Sequence, residues 1–217
     1  MTRNVLIAGA GPGVSGSLAR LYAAEGAAVG LLGADPGVLA TLADEVTAAG
    51  GSADKALVDL TDEIATRAAV TRMAEKLGKV DVLHFNPSAY REKDPLSLSP
   101  DELLEDVRLG VGALLTVLQA ARPFMGPGGR VTATGSMAAD KPWFGAASLG
   151  VQKAGLQNLV RSIDAALAGD GIRAVSVTVR GLLSTEGPFA PDNVARALRA
   201  ALDQDESGWQ AEVAYEG

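Results

Sequence analysis

The chain contains no cysteine and a single histidine, His84. Disulfides, thiolate nucleophiles and cysteine-ligated zinc are therefore excluded, and so is a metal site built on several imidazoles; no metal is expected. Aromatic residues make up only 4% against 47% hydrophobic residues overall, so the interior has to be packed from alanine, valine and leucine. That composition suits helices lying close on a sheet. Basic side chains are in deficit, with 19 Lys and Arg against 26 Asp and Glu and a net charge of −7. This sign disfavours attraction to nucleic acid or to an anionic membrane, and any phosphate must be held locally by backbone amides. No apolar run approaches the ~20 residues of a spanning helix, and the one near the start is too short for a signal peptide. The expectation is a cytoplasmic protein of one domain over residues 1–217.

What is present is concentrated at the beginning. The run Val5-Leu6-Ile7-Ala8 feeds into glycines at 9, 11, 13 and 16, and apolar residues then recur at helical spacing from Leu18 to Ala23. This reads as strand, tight turn and helix. Such a turn aims free N–H groups and the positive end of a helix dipole at one spot, where a diphosphate can sit. Glycine serves there because a Cβ would block the turn or the approach of the phosphate.

Strand and helix patterns alternate through the rest of the chain. Further strands are expected at 28–32, 56–58, 80–85, 129–134 and 173–179, with a short one at 212–215. Asp35 with Pro36 opens a helix to Ala49, Thr61 caps one running through Leu77, and Ser99 with Glu102 forms a capping box opening a long helix to about Arg122. Two more helices are expected from Gly145 to Ala168 and from Pro191 to Leu202. Repeated strand-helix units imply a doubly wound α/β fold, a parallel sheet with helices on both faces. Ligands of such a fold bind outside the carboxyl ends of the strands, where the strand order reverses.

The residues at those ends resemble the short-chain dehydrogenase/reductase family across essentially the whole chain. GAGPGVS at 9–15 is similar to its glycine turn, with Ser15 in place of the last glycine and Gly16 one step later. VDLTD at 58–62 is similar to its adenine-contacting segment, FNPS at 85–88 stands where it has Asn-Asn-Ala-Gly, and RGLLST at 180–185 stands where it has Pro-Gly-x-x-x-Thr. The resemblance implies a Rossmann-like domain that binds a nicotinamide dinucleotide through Gly9, Gly11, Gly13, Val14, Ser15, Asp35, Asp59, Leu60, Asn86, Lys153, Gly181, Leu183 and Thr185. Asp59 would meet the adenine amine and Leu60 its ring, while Gly181, Leu183 and Thr185 would hold the nicotinamide carboxamide. Asp35, with no basic side chain beside it, favours NAD(H), with NADP(H) as the alternative; as a helix cap it would be occupied otherwise. Asp59 is equally placed to serve as a helix-start residue.

The catalytic positions depart from the family. Ser136 and Lys153 stand at the family's spacing, but the tyrosine position is Leu149 and the asparagine position is Gly110. Leucine cannot pass a proton to a substrate oxygen, a step worth roughly 10²- to 10⁴-fold. Tyr90, four residues past Asn86, could supply the phenol, or be a surface tyrosine against Pro87 or Pro95. Lys153 through water and Ser148 are further sources. The expected catalytic set is Ser136, Lys153 and Tyr90. His84, inside an apolar strand, reads as a satisfied core histidine. Trp143 and Phe144 read as walls of a pocket or an interface, and hint at an apolar or aromatic small-molecule substrate.

The segment from Arg180 to Pro191 is short for the family and implies an open site. By the resemblance, the two long helices imply a homodimer or homotetramer. The expected function is hydride transfer between a nicotinamide cofactor and a carbonyl or alcohol with a non-standard proton donor. The alternatives are an isomerase, cyclase or lyase in the same pocket, or a catalytically silent nucleotide-binding or regulatory protein.

Overall fold

Val5 and Ile7 of β1 (Asn4–Ala8) pack into the core on one face of the sheet, and Leu6 and Ala8 into the core on the other. All four are fully buried. An unbroken apolar run is what a strand covered on both faces requires. The computed structural model, which describes residues 3–217, adds the strands β2 (Ala28–Gly33), β3 (Ser52–Leu57), β4 (Val82–Phe85), β5 (Arg130–Ser136), β6 (Arg173–Val179) and β7 (Glu212–Tyr215), of which β2, β4, β5 and β6 are largely buried and the edge strands β3 and β7 are not. The seven strands form one sheet in the order β3-β2-β1-β4-β5-β6-β7, and every pairing is parallel. The order reverses between β1 and β4.

Helices α1 (Val14–Ala24), α2 (Pro36–Ala48) and α7 (Pro191–Ala200) cover one face. The other is covered by α3 (Glu63–Leu77), α5 (Ala113–Ala121) and α6 (Ala147–Leu167), with α4 (Pro100–Val107) lying against α6. The fully buried side chains are almost all aliphatic, Tyr22 and Phe85 being the largest. Among the described residues, no helix is long and apolar enough to cross a membrane.

Several boundaries differ from the sequence reading for identifiable reasons. β3 begins at Ser52 because it is an edge strand whose residues are exposed or half-buried, so its sequence SADKAL carries no apolar run. The cap of α3 is Asp62, which accepts from the Ala65 amide at 2.9 Å; Thr61 instead turns back to donate its hydroxyl to Asp59 at 2.7 Å. The long helix expected to Arg122 is interrupted at Arg108–Gly112 by a π-helical turn that brings Gly110 against α6. β4 starts at Val82 rather than 80, α6 at Ala147, and α7 ends at Ala200. Asp35 does cap α2, accepting from the Val38 amide at 2.8 Å, and Ser99 with Glu102 closes both bonds of a capping box.

Candidate active site

At the reversal point, Ala8 of β1 pairs with Phe85 of β4, so the turn after β1 lies beside the loop after β4. Gly9 has φ +81°, and a Cβ on it would lie 2.7 Å from the Pro87 ring. Only glycine meets both the left-handed conformation and that approach. Ser15 then closes the turn from the inside. Its hydroxyl accepts from the Gly11 amide at 2.9 Å and donates to the Gly9 carbonyl at 3.0 Å. The Gly11 amide and the Ser15 hydroxyl are thereby engaged with each other. Among the described residues no side chain caps α1, α5, α6 or α7, whereas α2, α3 and α4 are each capped by Asp or Ser.

Two cavities flank this turn. The outer one, about 600 Å³, is lined by Gly9, Gly33, Asp59, Leu60, Pro87 and Leu109 among others. Asp59 is held there by the Thr61 amide and hydroxyl, which keep its carboxyl below the usual range. The inner cavity, about 430 Å³, gathers the α1 start (Gly11, Gly13, Val14, Ser15) with Asn86, Ser136, Lys153, Gly181 and Leu183. Tyr90 and Leu149 line the same space. Neither cavity is lined by Asp35, whose carboxylate already caps α2. Thr185 is exposed and lies outside both, because the segment after β6 is drawn to β7, where Tyr215 donates to the Pro188 carbonyl at 2.5 Å and stacks edge-on against Phe189. Trp143 and Phe144 are exposed and do not line the inner cavity.

The polar core of the site is organised by Thr134, near the end of β5. Its hydroxyl donates to Asn86 Oδ1 at 2.8 Å, and its carbonyl accepts from Lys153 Nζ at 2.8 Å. Asn86 Nδ2 reaches back to the Gly9 carbonyl and the Ser15 hydroxyl, at 3.4 Å each. Lys153 is only 5% exposed, and among the described residues it has no carboxylate partner. Burial pushes its ammonium down to about 8. Ser136 Oγ accepts from the Ala138 amide at 3.2 Å, which leaves its own proton free to donate. The Ser148 hydroxyl, by contrast, is buried and donates to Asp106 at 2.6 Å, which removes it as a proton source for the cavity.

His84 is fully buried but only half satisfied: Nε2 lies 3.5 Å from the Thr134 hydroxyl, and among the described residues Nδ1 has no partner. Burial first, and the Lys153 charge second, push its pKa down to about 3.

The residue missed in sequence is Gln152. It is fully buried on α6; its Oε1 accepts from the Ala89 amide and its Nε2 donates to the Ala89 carbonyl, both at 2.9 Å. A Cβ at Gly110 would lie 2.3 Å from that Oε1, so glycine at 110 is the space the amide occupies. The signal was in the helix pattern: positions 149, 152, 153 and 156 form one stripe, and a glutamine on a buried stripe demands two partners.

The start of α1 has room for a diphosphate. A Cβ at Gly13 would meet nothing within 4 Å, and one at Gly11 only the Ser15 hydroxyl at 3.9 Å, so this wall is bare backbone beside the start of a helix. A family model described as short chain dehydrogenase matches residues 3–187. The chain belongs to that family. It is similar to the oxidoreductase UcpA of Escherichia coli (strain K12), 29% identical over 214 residues covering 92% of this chain and 80% of that protein. Among solved structures it is similar to a dehydrogenase/reductase from Sinorhizobium meliloti 1021, with TM-score 0.88 and 20% identity over 98% of this chain and 92% of that one. It is also similar to a short chain dehydrogenase from Burkholderia cenocepacia J2315 in complex with NADP, with TM-score 0.88 and 24% identity over 100% and 96% of the two chains.

His84 gives the site a measurable pH dependence. Its pKa is about 3 in the fold and near 6.5 in the unfolded chain, so the unfolded state binds more protons between these values. The stability it contributes is complete above pH 6.5 and is lost as pH falls toward 3. Urea unfolding at pH 6.5 and 5 should show His84→Gln losing about 2 kcal/mol less than the wild type. Equal losses would contradict a neutral buried imidazole.

Proposed function

We propose that this protein is a nicotinamide-dependent oxidoreductase acting on a carbonyl or alcohol, with Tyr90 as its proton donor in place of the tyrosine that the family resemblance puts at Leu149. The observation that carries this reading is the shared cavity: Tyr90 lines the same 430 Å³ space as Ser136, Lys153 and the start of α1. The nicotinamide, when bound, supplies or accepts the hydride. The first-turn amides of α1 would hold its diphosphate, and the Nζ donors of Lys153 not used by Thr134 would hold ribose hydroxyls. The Ser136 hydroxyl would orient the substrate oxygen. As charge builds on that oxygen during reduction, the Tyr90 phenol gives up its proton, and on oxidation takes one back. Leu149, Val179 and Leu183 make the remaining wall apolar, which fits an apolar or ring-bearing substrate.

Leu149 also supports a second reading, in which the dinucleotide is bound and no hydride is transferred. Tyr90→Phe separates the two. Turnover with a carbonyl reduced by the wild type, followed at 340 nm, should fall at least about tenfold. Unchanged turnover would remove Tyr90 as the donor, and binding without turnover on any carbonyl or alcohol would favour the silent protein.

The carboxylate of Asp35, just beyond Gly33 and Ala34 of the outer cavity, supports NAD(H), since it would repel a ribose 2′-phosphate. Calorimetry should give tighter binding of NADH than of NADPH; the reverse order would overturn the preference. The exposed Leu104, Leu115 and Val151 on α4, α5 and α6 support a homodimer or homotetramer. Sedimentation velocity should then find two or four chains per particle, and a monomer would contradict it.

A further inference from the structure

Tyr90 sits between two anchors, each tying the loop after β4 to a different helix. On its N-terminal side, the Gln152 amide grips both the N–H and the C=O of Ala89. On its C-terminal side, Arg91 makes a two-pronged pair with Asp106, at 3.1 and 3.0 Å, and reaches Glu102 at 3.2 Å and Glu105 at 3.1 Å on the same helix. Asp106 is itself buried and fixed from α6 by the Ser148 hydroxyl at 2.6 Å. Two residues on, the Lys93 carbonyl accepts from the Ala147 amide at the start of α6, at 3.1 Å.

The Tyr90 side chain, by contrast, is 64% exposed. Packing does not hold the phenol; the backbone on either side of it does. A group that must meet a substrate oxygen within a few tenths of an ångström needs such support, and a displacement of about 1 Å can cost about 10² in rate. The geometry points to Gln152 as a positioning residue for proton transfer, fixing the Tyr90 backbone through Ala89 while Arg91 and Asp106 fix it from the other side. This rests on the reading of Tyr90 as the proton donor.

The chemistry of the grip is specific. Only a side-chain amide offers an acceptor and a donor at the spacing of one residue's N–H and C=O. Glutamate would keep the acceptor and lose the donor, and leucine would lose both. Gly110 belongs to the same device: with Gln152 Oε1 only 2.3 Å from where a Cβ would stand, the flexible amide is the part that would yield. Gly110→Ala should therefore pull the amide off Ala89 without changing any buried polar group.

The test is a double-mutant cycle with a structural readout alongside. Gln152→Leu and, independently, Gly110→Ala should speed hydrogen exchange at the Ala89 amide and lower kcat at least about tenfold, with KM and NADH affinity within about twofold of wild type. In a Tyr90→Phe background, Gln152→Leu should cost less than about twofold more. Equal losses with and without the Tyr90 hydroxyl would reduce Gln152 to a general structural role and overturn the proposal. If Tyr90→Phe lowers kcat but neither Gln152→Leu nor Gly110→Ala does, the positioning role fails and the proton-donor reading stands. If Tyr90→Phe leaves kcat unchanged, the reading fails and the positioning role with it, even where Ala89 exchange responds.

Discussion

The close approach of Gly9 to Pro87 fixes the geometry on which the rest of the site depends. It brings the turn after β1 against the loop after β4, at the one place in the sheet where neighbouring crossovers run to opposite sides. The approach requires a glycine at φ +81° on one side and tolerates a proline ring on the other. From it follow the bond from Asn86 to the Gly9 carbonyl, the exit of the loop that carries Tyr90, and the bare-backbone wall at the start of α1. Ser15 locks the turn by filling its interior with a hydroxyl that both accepts and donates.

The wall at the start of α1 offers backbone amides rather than charged side chains. In a protein of net charge −7, bare amides at a helix start offer an anion a place to sit at no cost in net charge. Among the described residues, Lys153 is the one buried ammonium at the site, and the Thr134 carbonyl is its one partner. The burial that lowers its pKa leaves it able to donate to a ligand hydroxyl, and its charge helps keep His84 neutral. Thr134 thus links the cation to Asn86 and to the glycine turn through one residue.

Much of this was legible in the residues. Apolar runs pointed to all seven strands, Asp35-Pro36 and Ser99-x-x-Glu102 to two helix starts, and the family resemblance to Ser136 and Lys153, which line one cavity. What was not legible has physical causes. β3 showed only at its end, because the edge strand's first residues, Ser52 to Lys55, carry no apolar run. Thr61 and Asp62 are both good caps, and the tie between Thr61 and Asp59 decides between them. Thr185 depends on how a short segment settles against β7. The partnership of Gln152 with Ala89 and Gly110 joins elements far apart in the chain, which no local pattern reports. The same holds for Ser148, whose attachment to Asp106 is visible only once α4 and α6 are packed.

In the binding mode proposed above, the start of α1, set by the Gly9 turn, would hold the diphosphate of an adenine dinucleotide and deliver the nicotinamide to the cavity of Ser136, Lys153 and Tyr90. A crystal structure of the protein grown with NADH tests it most directly. The diphosphate should lie on the amides of Val14 and Ser15, with the nicotinamide C4 facing the Ser136 and Tyr90 hydroxyls. A dinucleotide bound elsewhere, or a cavity left empty at millimolar NADH, would contradict it.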